Sequence, residues 1–387
     1  MENLGWSGAG IFFALGIDFI FYLLAGRFLG PEEFGLFGAA MAIYYVTVRP
    51  LFRSLEMASK KVSAEGSNAI KNLGLYSIKI GFLMWVLFLI FIPISSNLMD
   101  LSPILLGVFS LVFPFAYFLA VLIGHVQGEE NFKLYASYEV IGSTAKFSAI
   151  FLIFFTGLEA TAAISGTVSE ILIGSLFVFI VLKPLRFGKK VLDNGLLFRS
   201  ALFIVAIYSA FSFDILILKI FNSAETVGLY NAVSVLGKAI FFGAVAVNRS
   251  VFPKFVKDKQ NGKKLLNFSI VLILLGGSSF SVFFQIFGKE FLRIVYGSSY
   301  LAASSFSPFY MLFITLVSVV ALLGNYYISL EKRIWPILMM PFTQLLGLLT
   351  FHETINQVLA VSILSALSGI LVLYLPLLID RSEFRKI

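Results

Sequence analysis

The sequence has no cysteine, only two histidines and few charged residues, and each shortage excludes a class of protein or site. Without cysteine, a disulfide, a thiolate metal site and a cysteine nucleophile are all impossible. The histidines, His125 and His352, are far apart and fall near predicted span ends, so we expect no metal site. Charged residues make up 13% of the chain. Because a typical soluble domain has about 25% charged residues, this composition excludes a soluble globular protein.

The residues that are abundant are apolar. The chain of 387 residues is 59% hydrophobic, with a mean hydropathy of +0.95 and 44 phenylalanines. Its net charge of +8 would suggest a nucleic-acid partner in a soluble protein. In a membrane protein the same excess reflects the enrichment of Lys and Arg in cytoplasmic loops, so we expect no nucleic-acid partner.

Runs of about 20 mostly apolar residues predict twelve membrane-spanning helices. The first six spans are expected near 8–28, 34–58, 73–95, 103–126, 133–156 and 160–182. The other six are expected near 196–220, 227–252, 264–287, 303–330, 334–351 and 355–379. The sequence therefore predicts an all-α integral membrane protein.

The basic residues predict the orientation of these spans. Of the 29 Lys and Arg residues, 19 fall in the even-numbered connections and the C-terminal tail, and 4 fall in the odd-numbered ones. Because basic residues accumulate in cytoplasmic loops, this bias predicts that both termini are cytoplasmic. We expect a multi-pass protein of the plasma membrane.

Two weak internal sequence similarities divide the chain into halves. FLGPEEFGLFGAA (28–40), between spans 1 and 2, shares five of thirteen positions with FNSAETVGLYNAV (221–233), between spans 7 and 8. LIGHVQGEENFKLYA (122–136) resembles LLGNYYISLEKRIWP (322–336) in the same way. A unit of six spans keeps its orientation, so this pattern predicts two parallel-repeat six-helix bundles. We expect bundles at 1–185 and 196–387, joined by a cytoplasmic linker at 186–195.

Several cations lie inside predicted spans, where each costs about 2.5–3.5 kcal/mol on insertion scales. An ion partner, water or a ligand must offset this cost. Structural alternatives are the pairs Arg53–Glu56 and Glu139–Lys146, and Lys79 can reach the headgroups. Polar stripes around Lys146 in span 5 and around Lys238 and Arg249 in span 8 favour a solvated cavity that binds an anionic substrate. The predicted substrate-binding residues are Arg49, Arg53, Lys146, Lys238 and Arg249.

Acidic residues inside spans form a second candidate site. Asp18 in span 1 and Asp214 in span 7 each lie in the apolar span that precedes one of the two similar elements. A buried acid either pairs with a cation or takes part in ion coupling. We predict an ion-coupling role for both residues, with H⁺, Na⁺ and the membrane potential left open as driving forces and no cofactor expected.

The element RFLGPEEFGLF after the first span, its fainter copy NSAETVGLYNA after the seventh, and the count of six plus six helices resemble the polysaccharide flippases of the Wzx group. The superfamily of this group includes the lipid II flippases and the MATE exporters. The resemblance implies a V-shaped transporter that works by alternating access. It also implies that Arg49, Arg53 and Lys238 line a cationic cavity.

The implied function is transfer of an oligosaccharide, linked through a diphosphate to a polyprenol, from the cytoplasmic to the outer leaflet. The implied partners are that lipid-linked glycan, membrane lipids and other glycan-assembly proteins. Two alternatives remain. A MATE-type cation-coupled exporter would need acids facing its cavity, and a membrane enzyme of glycan assembly would need a large outer loop or an embedded histidine. Neither of the latter features is evident in the sequence, so we do not expect an enzyme.

Overall fold

The computed structural model describes residues 2–65, 70–182, 194–257, 259–330, 332 and 334–379. Within these ranges the chain is almost entirely α-helical and contains no β-strand, which confirms the predicted all-α class. The helices form two compact units, 1–201 and 202–387. Most of the predicted linker at 186–195 lies outside the described residues, so the predicted domain boundaries stay a prediction.

The first unit contains eight helices. Their bounds are α1 Glu2–Thr47, α2 Arg49–Ala64, α3 Ile70–Met99, α4 Pro103–Ser110, α5 Val112–Gly128, α6 Phe132–Phe147, α7 Ala149–Thr156 and α8 Glu159–Val181. Helices α4 and α5 follow one another within predicted span 4, and α6 and α7 do so within predicted span 5.

Helix α1 is a hairpin of two helices that turns at Gly30. Gly30 has φ 73° and ψ 172°, a conformation that is open essentially to glycine alone. The ring centroids of Tyr22 and Phe37 lie 5.8 Å apart, although a continuous helix would separate these residues by about 22 Å. The hairpin therefore supplies spans 1 and 2, and the length of each arm is set by this turn rather than by the apolar run alone.

The helix of span 2 is interrupted at Val48 and continues as α2. Pro50 lies in the first turn of α2, where its missing N–H is tolerated. Helix α2 packs closely on α5, because a Cβ on Gly124 would overlap the carbonyl oxygen of Glu56. A Cβ on Gly128 would lie 2.6 Å from the carbonyl oxygen of Lys60. Two glycines four residues apart thus fix the position of α2, and with it Arg49 and Arg53.

The second unit contains the remaining helices. Their bounds are α9 Asn194–Ala210, α10 Phe213–Phe221, α11 Ala224–Lys257, α12 Lys259–Val295, α13 Ser307–Ser329, α14 Met339–Thr350 and α15 Ile355–Ile379, with 3₁₀ turns at Ser298–Ser305 and Trp335–Leu338. The division between the units falls inside α9. Helix α13 is the core of this unit, and its side chains Phe313, Ile314 and Val317 are fully buried.

The described helices account for the twelve predicted spans. Nine of them are long and apolar enough to cross a membrane, and Leu202–Ala210 with Phe213–Phe221 forms a bent pair with an angle of 45°. One of the nine, Gly10–Thr47, counts twice because of the turn at Gly30. The shorter apolar segment Trp335–Thr350 matches predicted span 11. The bend in span 7 could not be predicted, because neither Phe211 nor Ser212 is a helix-breaking residue type.

Candidate functional site: charged groups at two depths of the first unit

A buried lysine joins three helices of the first unit. The Nζ atom of Lys146 in α6 lies 3.4 Å from Oδ1 of Asp18 in α1 and 3.2 Å from Oε2 of Glu170 in α8. The lysine side chain is 5% exposed, whereas those of Asp18 and Glu170 are 27% and 20% exposed. The accessible part of this cluster is therefore its carboxylates, and the ammonium group lies behind them.

Aromatic rings and glycines complete the surroundings of Lys146. Its Nζ atom lies 4.7 Å from the ring centroid of Tyr22 and 5.5 Å from that of Phe21. Helices α6 and α8 approach closely, since a Cβ on Gly166 would lie 2.8 Å from the carbonyl oxygen of Lys146. Ring faces attract a cation, so the packing favours a charged ammonium group at this position.

The charge balance of the cluster favours a cation as its ligand. Two carboxylates and one ammonium group give a formal charge of −1. The Oδ1 atom of Asp18 is buried and accepts no hydrogen bond. A proton or a small cation would neutralise the excess charge, whereas an anion would be repelled. The substrate-binding role predicted for Lys146 does not fit this geometry, and neither does its predicted pairing with Glu139, which instead accepts a hydrogen bond from Tyr135.

Arg49 and Arg53 lie on α2, just after the interruption of span 2. The Cζ atom of Arg49 is 5.4 Å from the ring centroid of Tyr44 and 5.5 Å from that of Phe52. Stacking of this kind orients a guanidinium group. Arg49 is only partly buried, so the first turn of α2 presents an oriented cation.

The predicted pair of Arg53 and Glu56 is present. Nη1 of Arg53 lies 2.7 Å from Oε2 of Glu56, and the arginine side chain remains 39% exposed. The Nε2 atom of Gln127 in α5 donates to the other oxygen, Oε1 of Glu56, at 2.9 Å. Lys60 donates to Gln127 at 3.3 Å. These contacts hold Arg53 through α5 while leaving much of its guanidinium accessible.

The acid and the arginines lie at different depths. Measured along the helices from the turn at Gly30, Asp18 is about 18 Å away and Arg49 about 28 Å. The hydrocarbon core of a bilayer is about 30 Å thick. The Asp18–Lys146–Glu170 cluster is therefore near the middle of the membrane. Arg49 is near the membrane boundary opposite the turn, which is shallower than the sequence suggested, because the sequence did not show where the turn lies.

Lys238 and Arg249 lie on one face of α11 in the second unit. They are separated by eleven residues, or three helical turns, which corresponds to about 16 Å. Lys238 is partly buried and Arg249 is exposed, while Ile240 and Val251 lie on the buried side of the same helix. Both cations were predicted to bind substrate, and this prediction is not tested by their place in the unit.

Asp214 occupies a different environment from Asp18, its counterpart in the first half. It is fully buried in the first turn of α10, where Oδ2 accepts a hydrogen bond of 2.7 Å from the hydroxyl of Tyr230. Its Oδ1 atom accepts one of 2.8 Å from the backbone N–H of Ile215. A carboxylate satisfied in this way stabilises the start of a helix after a bend. This geometry favours a structural role for Asp214 over the predicted ion-coupling role.

Residues 1–259 match the model of a protein family that is described as "Polysaccharide biosynthesis protein". The chain belongs to this family. A search of curated proteins found no match.

Known structures show that the fold is that of membrane transporters. The chain is similar to "Lipid II flippase MurJ, inward closed conformation", with a TM-score of 0.77 and 16% identity, over 96% of this chain and 87% of that one. It is also similar to an inward-facing "multidrug resistance MATE family transporter of the MOP superfamily", with a TM-score of 0.67 and 14% identity, over 95% and 94% of the two chains. The predicted fold is thereby confirmed. At these identities the likeness concerns the fold alone.

Sequence reasoning missed two features of the site. Glu170 is an acid inside predicted span 6, but nothing in the sequence indicates that it shares Lys146 with Asp18. The stacking of Arg49 between Tyr44 and Phe52 was also missed. The spacing of Arg49 and Phe52, three residues apart, is a signal that could have indicated this contact, because such residues are neighbours on a helix.

Proposed function

We propose that the protein is a flippase that moves a polyprenyl-diphosphate-linked oligosaccharide from the cytoplasmic to the outer leaflet by alternating access. The observation that supports this proposal most strongly is that Arg49 and Arg53 lie near the end of span 2 that is far from the turn at Gly30. The bias of basic residues predicts that this end faces the cytoplasm. A lipid-linked substrate in the inner leaflet would present its diphosphate at this level. Membership of a polysaccharide biosynthesis family agrees with a glycan as the cargo.

The two arginines suit a diphosphate in different ways. Arg49, oriented between two rings, can offer two parallel N–H donors to one phosphate. Arg53 would exchange part of its contact with Glu56 for the second phosphate. Lys238 and Arg249 are proposed to contribute further positive charge from α11. We propose that residues other than these four cations bind the glycan itself.

The Asp18–Lys146–Glu170 cluster is proposed to couple transport to a cation. Its excess negative charge and the accessible carboxylates suit a proton or Na⁺. Because Lys146 bridges α1, α6 and α8, a change of charge on either acid would alter how tightly these three helices are held together. Such a local electrostatic change can bias a two-state transporter. Asp214 is not part of this proposal, since its oxygens are already satisfied.

The test is transfer of a lipid-linked oligosaccharide across the membrane of proteoliposomes that contain the purified protein. The Arg49→Ala variant should lose at least tenfold in rate, and Arg49→Lys should recover part of it, because lysine keeps the charge but loses the two-pronged contact. The matched control is Lys79→Ala, which removes an exposed cation from α3 in the same unit. Equal rates for Arg49→Ala and the control would contradict the proposal.

One observation favours a second candidate, a MATE-type cation-coupled exporter of small molecules. The net negative charge of the Asp18–Lys146–Glu170 cluster would also suit an organic cation. The two candidates differ in what they predict for Arg49. Removal of this residue should accelerate export of an organic cation, because a repulsive charge is lost, whereas it should abolish transfer of a diphosphate lipid.

The proposed location and orientation of the protein follow from the distribution of its Lys and Arg residues. We expect the protein in the plasma membrane with both termini in the cytoplasm, because Lys and Arg are concentrated in the even-numbered connections. Its partners would be the lipid-linked glycan, the surrounding lipids and the enzymes that assemble and extend the glycan on either side of the membrane.

A further inference from the structure

Helix α12 has one continuous exposed stripe. Its members are three, four or seven residues apart, which places them on one face of the helix. The apolar members are strongly exposed, with 65% for Phe268, 64% for Leu275 and 62% for Ile286. The stripe consists of Lys264, Phe268, Val271, Leu275, Val282, Ile286 and Lys289. In a membrane protein, such an apolar face contacts lipid.

The two lysines at the ends of the stripe are spaced like the two headgroup layers. Lys264 and Lys289 are separated by 25 residues of helix, or about 38 Å. A bilayer measures about 40–45 Å including its headgroups. Lys264 and Lys289 therefore lie at opposite headgroup levels on a face that contacts lipid.

Helix α11 brings two more lysines to the level of Lys264. Lys254 and Lys257 are exposed in its last turn, while Phe255 between them is fully buried and packs against Tyr326, with ring centroids 5.0 Å apart. The two lysines therefore point away from the interior of the unit. From Arg249 to Lys264 the sequence holds six basic residues and a single acid, Asp258.

Contacts with α15 hold this end of α12 in place. The Nζ atom of Lys263 donates to the carbonyl oxygen of Leu377 at 2.6 Å. The hydroxyl of Tyr374 donates to Oδ1 of Asn267 at 3.0 Å. With Lys263 engaged in this way, the neighbouring Lys264 is directed to the exposed side, above Phe268.

We propose that Lys254, Lys257 and Lys264 form a binding surface for the phosphate headgroups of anionic phospholipids in the inner leaflet. Lysines at the membrane surface attract anionic lipids by about 1 kcal/mol each, or roughly fivefold per residue. The exposed apolar side chains below Lys264 supply the contact with the acyl chains. Lipid binding at this surface would fix the depth of the second unit relative to the inner leaflet. The proposal does not depend on the nature of the cargo.

The experiment measures which lipid lies beside Phe268. The Phe268→Trp variant places a fluorophore one helical turn from Lys264, and its signal is obtained by subtracting that of the otherwise identical protein. In vesicles of phosphatidylcholine with a minor fraction of brominated lipid, brominated phosphatidylglycerol should quench this signal at least twofold more than brominated phosphatidylcholine. High salt should abolish the difference, because the attraction is electrostatic.

The variant Lys254→Gln/Lys257→Gln/Lys264→Gln, made in the Phe268→Trp background, should lose the preference for the anionic lipid. The matched control is Lys133→Gln, which removes an exposed lysine from α6 in the other unit and should leave the preference intact. Equal quenching by the two lipids in the unsubstituted protein would overturn the proposal, and so would a preference that survives the triple substitution. Both outcomes are independent of the transport assay and of the proposed function.

Discussion

Lys146 is a buried charged side chain whose charge must be balanced within the protein. Its ammonium group is buried between two partly accessible carboxylates, so its removal would leave two like charges facing each other. The sequence showed that Lys146, Asp18 and Glu170 lie inside spans, because each interrupts an apolar run. It could not show that the three meet, since this depends on how α1, α6 and α8 pack.

The first prediction concerns the stability of this cluster. Lys146→Met should destabilise the protein by about 3 kcal/mol, which is typical for breaking a buried ion pair. The added neutralisation of both acids, Asp18→Asn and Glu170→Gln, should restore most of the loss because no unpaired charge remains. Thermal unfolding of the purified variants in detergent measures both effects. A triple variant as unstable as Lys146→Met alone would show that packing, and not charge, is responsible.

At the scale of helices, proline and glycine decide where the spans are interrupted and how closely they pack. The turn at Gly30 and the interruption before Pro50 follow residues that are visible in the sequence. The bend between α9 and α10 does not, and it depends instead on tertiary contacts such as the hydrogen bond of 3.2 Å from Gln344 in α14 to the carbonyl oxygen of Ala210. The presence of the spans could therefore be predicted from the sequence, whereas the bends inside them could be predicted only in part.

The close approach of α2 and α5 gives the second prediction. Gly124→Ala should destabilise the protein by about 1–3 kcal/mol, as is usual for overpacking, because the added Cβ overlaps the backbone of Glu56. It should also reduce transport, since α2 holds Arg49 and Arg53. Thermal unfolding and the transfer assay measure the two effects.

Gly107→Ala in α4 is the matched control for this substitution, because an added Cβ there meets no atom within 4 Å. It should leave both stability and transport unchanged or slightly improved, as alanine favours a helix over glycine. If Gly124→Ala behaves like this control, the α2–α5 contact is looser than the glycine positions indicate.

The whole chain combines an apolar composition with an uneven distribution of basic residues. From these two features the sequence predicted the class of protein, the number of spans and their orientation, and from the two internal similarities it predicted two similar halves. Helices α5 and α13 support the internal repeat. Both contain a closely packed glycine at the corresponding place, Gly124 and Gly324. Residue roles such as that of Asp214 could not be predicted, because the acids of spans 1 and 7 have different partners.

The third prediction concerns the orientation of the chain. The charge bias places the connection between α11 and α12 in the cytoplasm. Since the protein has no cysteine, a single Lys257→Cys substitution gives a unique labelling site. In intact cells it should react with a membrane-permeant thiol reagent and not with an impermeant one. Ready reaction with the impermeant reagent would invert the predicted topology.

The last prediction follows from the charge of the proposed cargo. A diphosphate has about two negative charges, and each charge that crosses the membrane outwards gains about 2.3 kcal/mol per 100 mV when the cytoplasm is negative. A potential of this size should therefore drive net export by itself, with a total gain of about 4–5 kcal/mol. In proteoliposomes with a potassium diffusion potential set by valinomycin, net transfer should reverse direction when the potential is reversed. The Asp18→Asn variant should keep this response but lose the dependence of the rate on pH or Na⁺, because its coupling carboxylate is gone. Transfer that ignores the sign of the potential would show that the cargo crosses without net charge, and a variant that keeps the ion dependence would assign coupling to another residue.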